Sequence, residues 1–284
     1  MACESGVMLR FSQVDVFTSE LTLGNPVAVV HDADALSDEQ MARFARWTNL
    51  SETTFLLAPS EPDADYRLRI FTPNRELPFA GHPTVGSARA WLAAGGSPRG
   101  DRELLQQCAI GLVRVRRDGD RLAFAAPPLL RGGPVDPADL ATITRALHLQ
   151  AGDVVDAAWV DNGPGWVALL LSDADTVLGL RPDLAALGAL GKVGVVGPCP
   201  PDSDTAFEVR AFAAGSSLGE DPVTGSLNAG IAQWLIGTGR APLSYVAGQG
   251  TVLGRRGRIH VARADGEIWV AGDTVLGVEG SVAF

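Results

Sequence analysis

Two short runs of the chain set polar groups where chemistry could follow. The first is Gly81-His82-Pro83-Thr84-Val85-Gly86-Ser87-Ala88, and the second is Asp221-Pro222-Val223-Thr224-Gly225-Ser226-Leu227-Asn228-Ala229. Shifted by 139 positions, Pro83 falls on Pro222, Gly86 on Gly225, Ser87 on Ser226 and Ala90 on Ala229, while His82 falls on Asp221. An imidazole takes up or releases a proton near neutral pH. A carboxylate before a helix either caps it or handles protons, and one residue can do both. Each run reads as a helix start, with the proline at the first helical position, where its missing N–H costs nothing. The free N–H groups of such a first turn, near Ser87 and Ser226, could hold a substrate carboxylate or a developing enolate oxygen. Each of these residues also has a plain structural reading. His82 could be a hydrogen-bonded structural histidine, Asp221 a helix cap, and the two serines small packing residues.

The elements that would position these groups also repeat. Leu9 to Phe17 alternates apolar and polar residues, Gly24-Asn25-Pro26 reads as a turn, and Val27 to Val30 reads as a second strand. Ser37 and Gln40 have capping-box spacing, and Met41, Phe44, Ala45 and Trp47 fall mostly on one helical face. Asn49-Leu50-Ser51-Glu52 leads into a strand at Thr53 to Leu57, and Tyr66, Leu68 and Ile70 alternate with arginines. The stop after the first helix is Gly95-Gly96-Ser97-Pro98, and strands follow at Gly111–Val115 and Arg121–Ala126. Pro127-Pro128 and Gly132-Gly133-Pro134 punctuate the middle of the chain. A helix at Asp136 to Leu147 and a second set of strands then restate the plan, with a helix from about Pro222 to Gly237. Both helices are apolar nearly all round, so each must be buried on most sides. The expected fold class is α+β. Two similar domains each wrap a curved, mostly antiparallel sheet or half-barrel around a central apolar helix. The expected domains are residues 1–127 and 128–284, with the strand at 275–284 free to pair back onto the first.

Composition narrows the partners. The 284 residues carry 23 basic and 33 acidic side chains, a net charge of −10. That balance argues against nucleic acid or an anionic membrane as a partner. Apolar runs stay well short of the ~20 residues a membrane helix needs. The first residues, Met1 to Leu9, read as no signal peptide. Cys3, Cys108 and Cys199 are odd in number and lack CxxC spacing, which fits a reducing, cytoplasmic setting. There is no Walker loop, HExxH motif or cysteine-rich cluster, and His31, His148 and His260 stand alone. No cofactor and no metal site is expected.

Four runs together carry a family resemblance: Gly24-Asn25-Pro26; Thr48-Asn49-Leu50-Ser51-Glu52-Thr53-Thr54-Phe55; Phe79-Ala80-Gly81-His82-Pro83-Thr84-Val85-Gly86; and Gly219-Glu220-Asp221-Pro222-Val223-Thr224-Gly225-Ser226. In this order and spacing the chain resembles the PhzF-like isomerases of phenazine biosynthesis, which have the two-domain diaminopimelate-epimerase fold. The resemblance covers essentially the whole chain. It implies a homodimeric, cofactor-free isomerase acting on a small cyclic substrate in the cleft between domains. It implies Glu52 as the acid/base, with His82 and Asp221 in supporting or proton-relay roles. Ser51, Gly81, Gly225 and Ser226 would bind the substrate.

Read from its neighbours alone, Glu52 could equally be an exposed strand-edge charge; the resemblance turns the reading towards a functional carboxyl. Poor solvation and a neighbouring Asp221 would raise its pKa towards the range an acid/base needs. The chain also departs from the related epimerases and racemases. Those use a cysteine pair, and His82 and Asp221 stand at the corresponding positions here. Two-thiol epimerisation is therefore disfavoured. Epimerisation by other groups, hydrolytic C–C cleavage and a non-catalytic binding role remain as alternatives.

Overall fold

The structure is a computed structural model describing residues 6–150, 152–213 and 219–284. The reading of the first residues, including Cys3, falls largely outside the described residues. The fold is mixed α+β, and the chain divides into two compact units.

The described residues of the first unit fall within Met1–Thr22, Pro26–Phe124 and Asp273–Phe284. It holds β1 (Met8–Val16), β2 (Asn25–Val30, whose first residue groups with the other unit), α1 (Asp38–Thr48), β3 (Thr53–Leu57), β4 (Tyr66–Phe71) and β5 (Glu76–Leu77). There follow α2 (Gly81–Ala93), β6 (Glu103–Cys108), β7 (Gly111–Asp118) and β8 (Arg121–Ala125, whose last residue groups with the other unit), and the chain's last strand, β18 (Thr274–Ala283), completes the set. Strand β18 runs antiparallel to β1, and β1 pairs with β2. β2 is parallel to β3, and β3 is antiparallel to β4. β4 meets β5 antiparallel at one end and β6 parallel at the other, and β7 and β8 continue the sheet.

The second unit covers Leu23–Asn25 and Ala125–Gly272. Its elements are β9 (Arg131–Pro134), α3 (Pro137–Ala146), β10 (Val154–Asp161), β11 (Trp166–Leu171), α4 (Ala174–Gly179), α5 (Leu184–Gly188) and β12 (Lys192–Pro198). Then come β13 (Phe207–Ala213), β14 (Gly219–Asp221), α6 (Gly225–Gly237), β15 (Ser244–Gln249), β16 (Gly257–Ala264) and β17 (Glu267–Gly272). The pairing restates the first unit step for step. β9 and β10 are antiparallel, β10 and β11 antiparallel, β11 and β12 parallel, and β12 and β13 antiparallel. β13 then meets β14 antiparallel and β15 parallel, and β16 and β17 follow. Parallel neighbours need crossover connections. Here α1 and α2 supply them in one unit, and α4–α5 and α6 in the other.

Each sheet curls around its central helix. α2 touches β1, β3, β4, β7 and β18; α6 touches β10, β11, β16 and β17. Both helices come so close to a strand that one position must lack a side chain. A Cβ on Gly86 would collide with Val27 and Val16, and one on Gly230 with the backbone carbonyl of Val160. Each unit also packs a second apolar cluster. One is built on Met41 and Phe44 of α1 with Val30 and Phe55, the other on Ile143 of α3 with Leu169 and Val195.

Four sequence expectations change. Asn25 and Pro26 belong to β2, and the turn lies at residues 21–24. Gly132-Gly133-Pro134 is not only punctuation but most of strand β9, recruited by pairing with β10. Trp47 is 77% exposed and lies flat on Phe44 instead of joining the buried face. The two helix starts also differ in register. Pro83 is the third residue of α2, where no N–H yet has an intrahelical acceptor, whereas Pro222 lies three residues before α6.

Candidate active site

Glu52 stands between a helix end and a strand start, both of which are fixed. The capping box of α1 is present, with Ser37 Oγ accepting from the Gln40 N–H and Gln40 Oε1 from the Ser37 N–H. At the other end Asn49 takes the left-handed conformation (φ 53°) that stops the helix. Thr48 and Thr53 clasp the short loop between them with a 2.7 Å hydroxyl–hydroxyl bond. Thr53 then enters β3 opposite Ala28. The loop therefore leaves Glu52 little freedom.

His82 is the second residue of α2, not a cap; Ala80 occupies the N-cap position and has no polar group to offer. Phe79 just before it packs edge-on against Phe124. His82 Nδ1 lies 3.4 Å from Glu52 Oε2, and the two side chains are 5% and 16% exposed. Burial pushes the His82 pKa down to about 3, offset only slightly by the Pro26 carbonyl. At neutral pH the imidazole is uncharged, with one N–H and one lone pair. With the imidazole uncharged, this close approach is not an ion pair. The His82 Nε2 is buried without a hydrogen-bond partner among the described residues. Gly81 is buried beside it, and Ser51 is half-buried next to Glu52.

The second unit holds Asp221, Gly225 and Ser226. Asp221 is the last residue of β14 and does not cap α6; the N-cap is Thr224. Its Oδ1 accepts from Asn25 Nδ2 at 2.9 Å, and its Oδ2 accepts from the Thr224 hydroxyl at 2.6 Å. Neighbouring Glu220 forms a buried two-pronged pair with Arg210, which also donates to the Leu180 carbonyl. Gly225 and Ser226 open α6, and Ser226 Oγ accepts from the Trp166 indole at 3.0 Å.

Ser87 has a different fate from Ser226. It is the seventh residue of α2, in the second turn, fully buried. Thr54 donates to the Ala28 carbonyl, so Ser87 donates to Thr54 at 2.8 Å. Its role is packing. Of the other histidines, His31 is buried against Ser12 Oγ, and burial lowers its pKa. Cys108 and Cys199 are half-buried thiols whose pKa is raised, chiefly by desolvation, which disfavours a thiolate. Two residues escaped the sequence reading, Asn25 as a partner of Asp221 and Gln249. Gln249, at the end of β15, looks in sequence like any polar strand terminus, yet it is buried against Thr224.

The chain as a whole is similar to known proteins. Residues 14–280 match the family described as phenazine biosynthesis-like protein, PhzC-PhzF. The trans-2,3-dihydro-3-hydroxyanthranilate isomerase of Pseudomonas aeruginosa is 36% identical over 278 residues, covering 96% of this chain and 95% of that protein. Antisense-enhancing sequence 1 of Schizosaccharomyces pombe is 37% identical over 264 residues, 87% of each. The crystal structure of a PhzF-family protein from Enterococcus faecalis superposes with a TM-score of 0.81 at 26% identity, covering 98% of this chain and 100% of that one. A hydroxyproline epimerase from Agrobacterium vitis, 14% identical with a TM-score of 0.60, shares the fold. The chain belongs to the PhzC-PhzF family of phenazine biosynthesis-like proteins.

Proposed function

We propose that the protein is a cofactor-independent isomerase that moves a proton on a small, cyclic, carboxylate-bearing metabolite. One observation carries this reading: a restrained, largely buried carboxyl, Glu52, set against an uncharged imidazole, His82. Glu52 would take a proton from a carbon beside a conjugated system. The electron pair would shift along that system, and Glu52 would return the proton to a carbon further on. A neutral imidazole can donate to the carboxylate or accept from the acid, so His82 suits both stages. Asp221 is assigned as a second polar group acting on the same substrate. Ser51, Gly81, Gly225 and Ser226 are assigned to binding it. The P. aeruginosa relative is named for a ring acid of this chemistry. That compound is the first substrate to test.

The experiment is incubation with dihydroaromatic and cyclic enamine acids in D₂O, followed by mass and chiral analysis of the product. Isomerisation gives a product of unchanged composition carrying solvent deuterium at a new carbon. An inverted stereocentre would replace this reading with epimerisation, and a gain of water with C–C cleavage. Inertness towards the whole set would favour a binding role. Turnover should survive chelation and dialysis. The resemblance also implies a homodimer, and light scattering at micromolar concentration should give twice the chain mass.

A further inference from the structure

Two hydrogen bonds to the Asp221 carboxylate have directions set by groups that have no choice. Gln249 is 1% exposed, and both ends of its amide are engaged. Its Oε1 accepts from the Thr224 backbone N–H at 3.0 Å and from Asn228 Nδ2 at 2.9 Å. A backbone N–H can only donate, so the atom facing it must be the amide oxygen. The other end is then the NH₂ group. It donates to the Asp221 backbone carbonyl and to Thr224 Oγ1, each at 3.0 Å.

Thr224 Oγ1 thus receives a proton from Gln249 and has its own to give. The recipient is Asp221 Oδ2, at 2.6 Å. On the other side, Asn25 Nδ2 faces the Val223 carbonyl at 2.9 Å, which can only accept, and so the same NH₂ group donates to Asp221 Oδ1. Both carboxylate oxygens accept. Thr224 also forgoes the usual work of an N-cap, since its side chain makes no capping bond to α6. The hydroxyl is spent on Asp221 instead.

We infer that Gln249 and Thr224 are positioning residues that hold Asp221 as an unprotonated hydrogen-bond acceptor, leaving Glu52 as the group that carries the transferable proton. This rests on the proposed assignment of Asp221 to the reaction. Asp221 then orients a substrate N–H or O–H, or steadies positive charge, and does not deliver a proton.

The first readout needs no substrate. A hydroxyl proton locked between Thr224 and a carboxylate gives a downfield, slowly exchanging ¹H resonance in the unliganded enzyme. It should vanish in Thr224→Val, persist in Thr224→Ser, and move upfield with faster exchange in Gln249→Leu. Thr224→Val is nearly isosteric, so it serves where Gln249→Leu fails to fold. In the deuterium assay, Thr224→Val should lower kcat by roughly 10- to 100-fold, the scale of one charged hydrogen bond. KM should change less, and Thr224→Ser should restore most of the loss. A folded wild-type enzyme with no protected hydroxyl resonance overturns the inference, as does a Thr224→Val enzyme with unchanged kcat. If no substrate turns over, the isomerase reading fails, while the resonance still decides whether Thr224 donates to Asp221.

Discussion

α2 and α6 are one structural device used twice, and their entrances differ. Both are apolar helices gripped by a curled sheet, and both have a glycine where the helix nears a strand. At α2 the chain is already helical at Gly81, so His82 lies inside the first turn, buried, uncharged and beside Glu52. At α6 the helix begins a turn later relative to the shared Pro-Gly-Ser pattern. The matching residue, Asp221, stays at a strand end and is ringed by donors. The difference teaches that aligned sequence does not mean aligned geometry. The shift decides whether the polar residue lies within the helix's first turn or at a strand end before it. It also separates the two serines, leaving Ser226 in the first turn and Ser87 in the second.

Of changes at the two helix entrances, the largest effect should come from Asp221→Asn, which keeps the shape and removes the charge. Turnover should fall by about 10²–10³-fold, as for losing one preorganised electrostatic contact, and the melting temperature should fall modestly because the new NH₂ group faces a committed donor. A variant with normal kcat would reduce the α6 entrance to scaffold.

The α2 entrance is probed by pH. Folded His82 holds its proton less tightly than in the unfolded chain, with a pKa near 3 against about 6.5. Its contribution is therefore whole above pH ~6.5 and is lost as pH falls towards 3. Between pH 7 and 4 the wild type should lose more stability than His82→Asn, by an amount on the order of a few kcal/mol. Urea unfolding at a series of pH values measures it. Parallel curves for the two proteins would show that His82 is not held neutral.

The shared scaffold comes next. Gly86→Ala meets valine methyl groups that can shift, and should cost about 1–3 kcal/mol. Gly230→Ala meets the Val160 carbonyl, which cannot, and should cost more. The reverse order in denaturant midpoints would contradict the packing described here. Smallest is the serine pair. Ser87→Ala should cost ~1 kcal/mol of stability through its lost bond to Thr54 and leave turnover alone. Ser226→Ala should raise KM.

Much of the fold was legible because local chemistry and tertiary structure agree. The Ser37–Gln40 box starts α1, and the alternation of Tyr66, Leu68 and Ile70 marks β4. What was not legible depends on neighbours. β5, β9 and β14 are two to four residues long and exist only through pairing. The α2 start was read late because Ala80 carries no capping group. At the site, His82 and Asp221 stood out through the repeat. Glu52 did not, since nothing in Ser51 to Thr54 announces that the loop is covered. Gln249 was missed for the same reason, as its burial comes from α6.

The central claim is that Glu52 carries the transferred proton. Its most direct test is solvent-deuterium incorporation by Glu52→Gln beside the wild type, on a substrate the wild type isomerises. Incorporation and turnover should fall together by about 10²–10⁴-fold, the range for loss of a general acid–base group. Full incorporation and turnover in Glu52→Gln would contradict it.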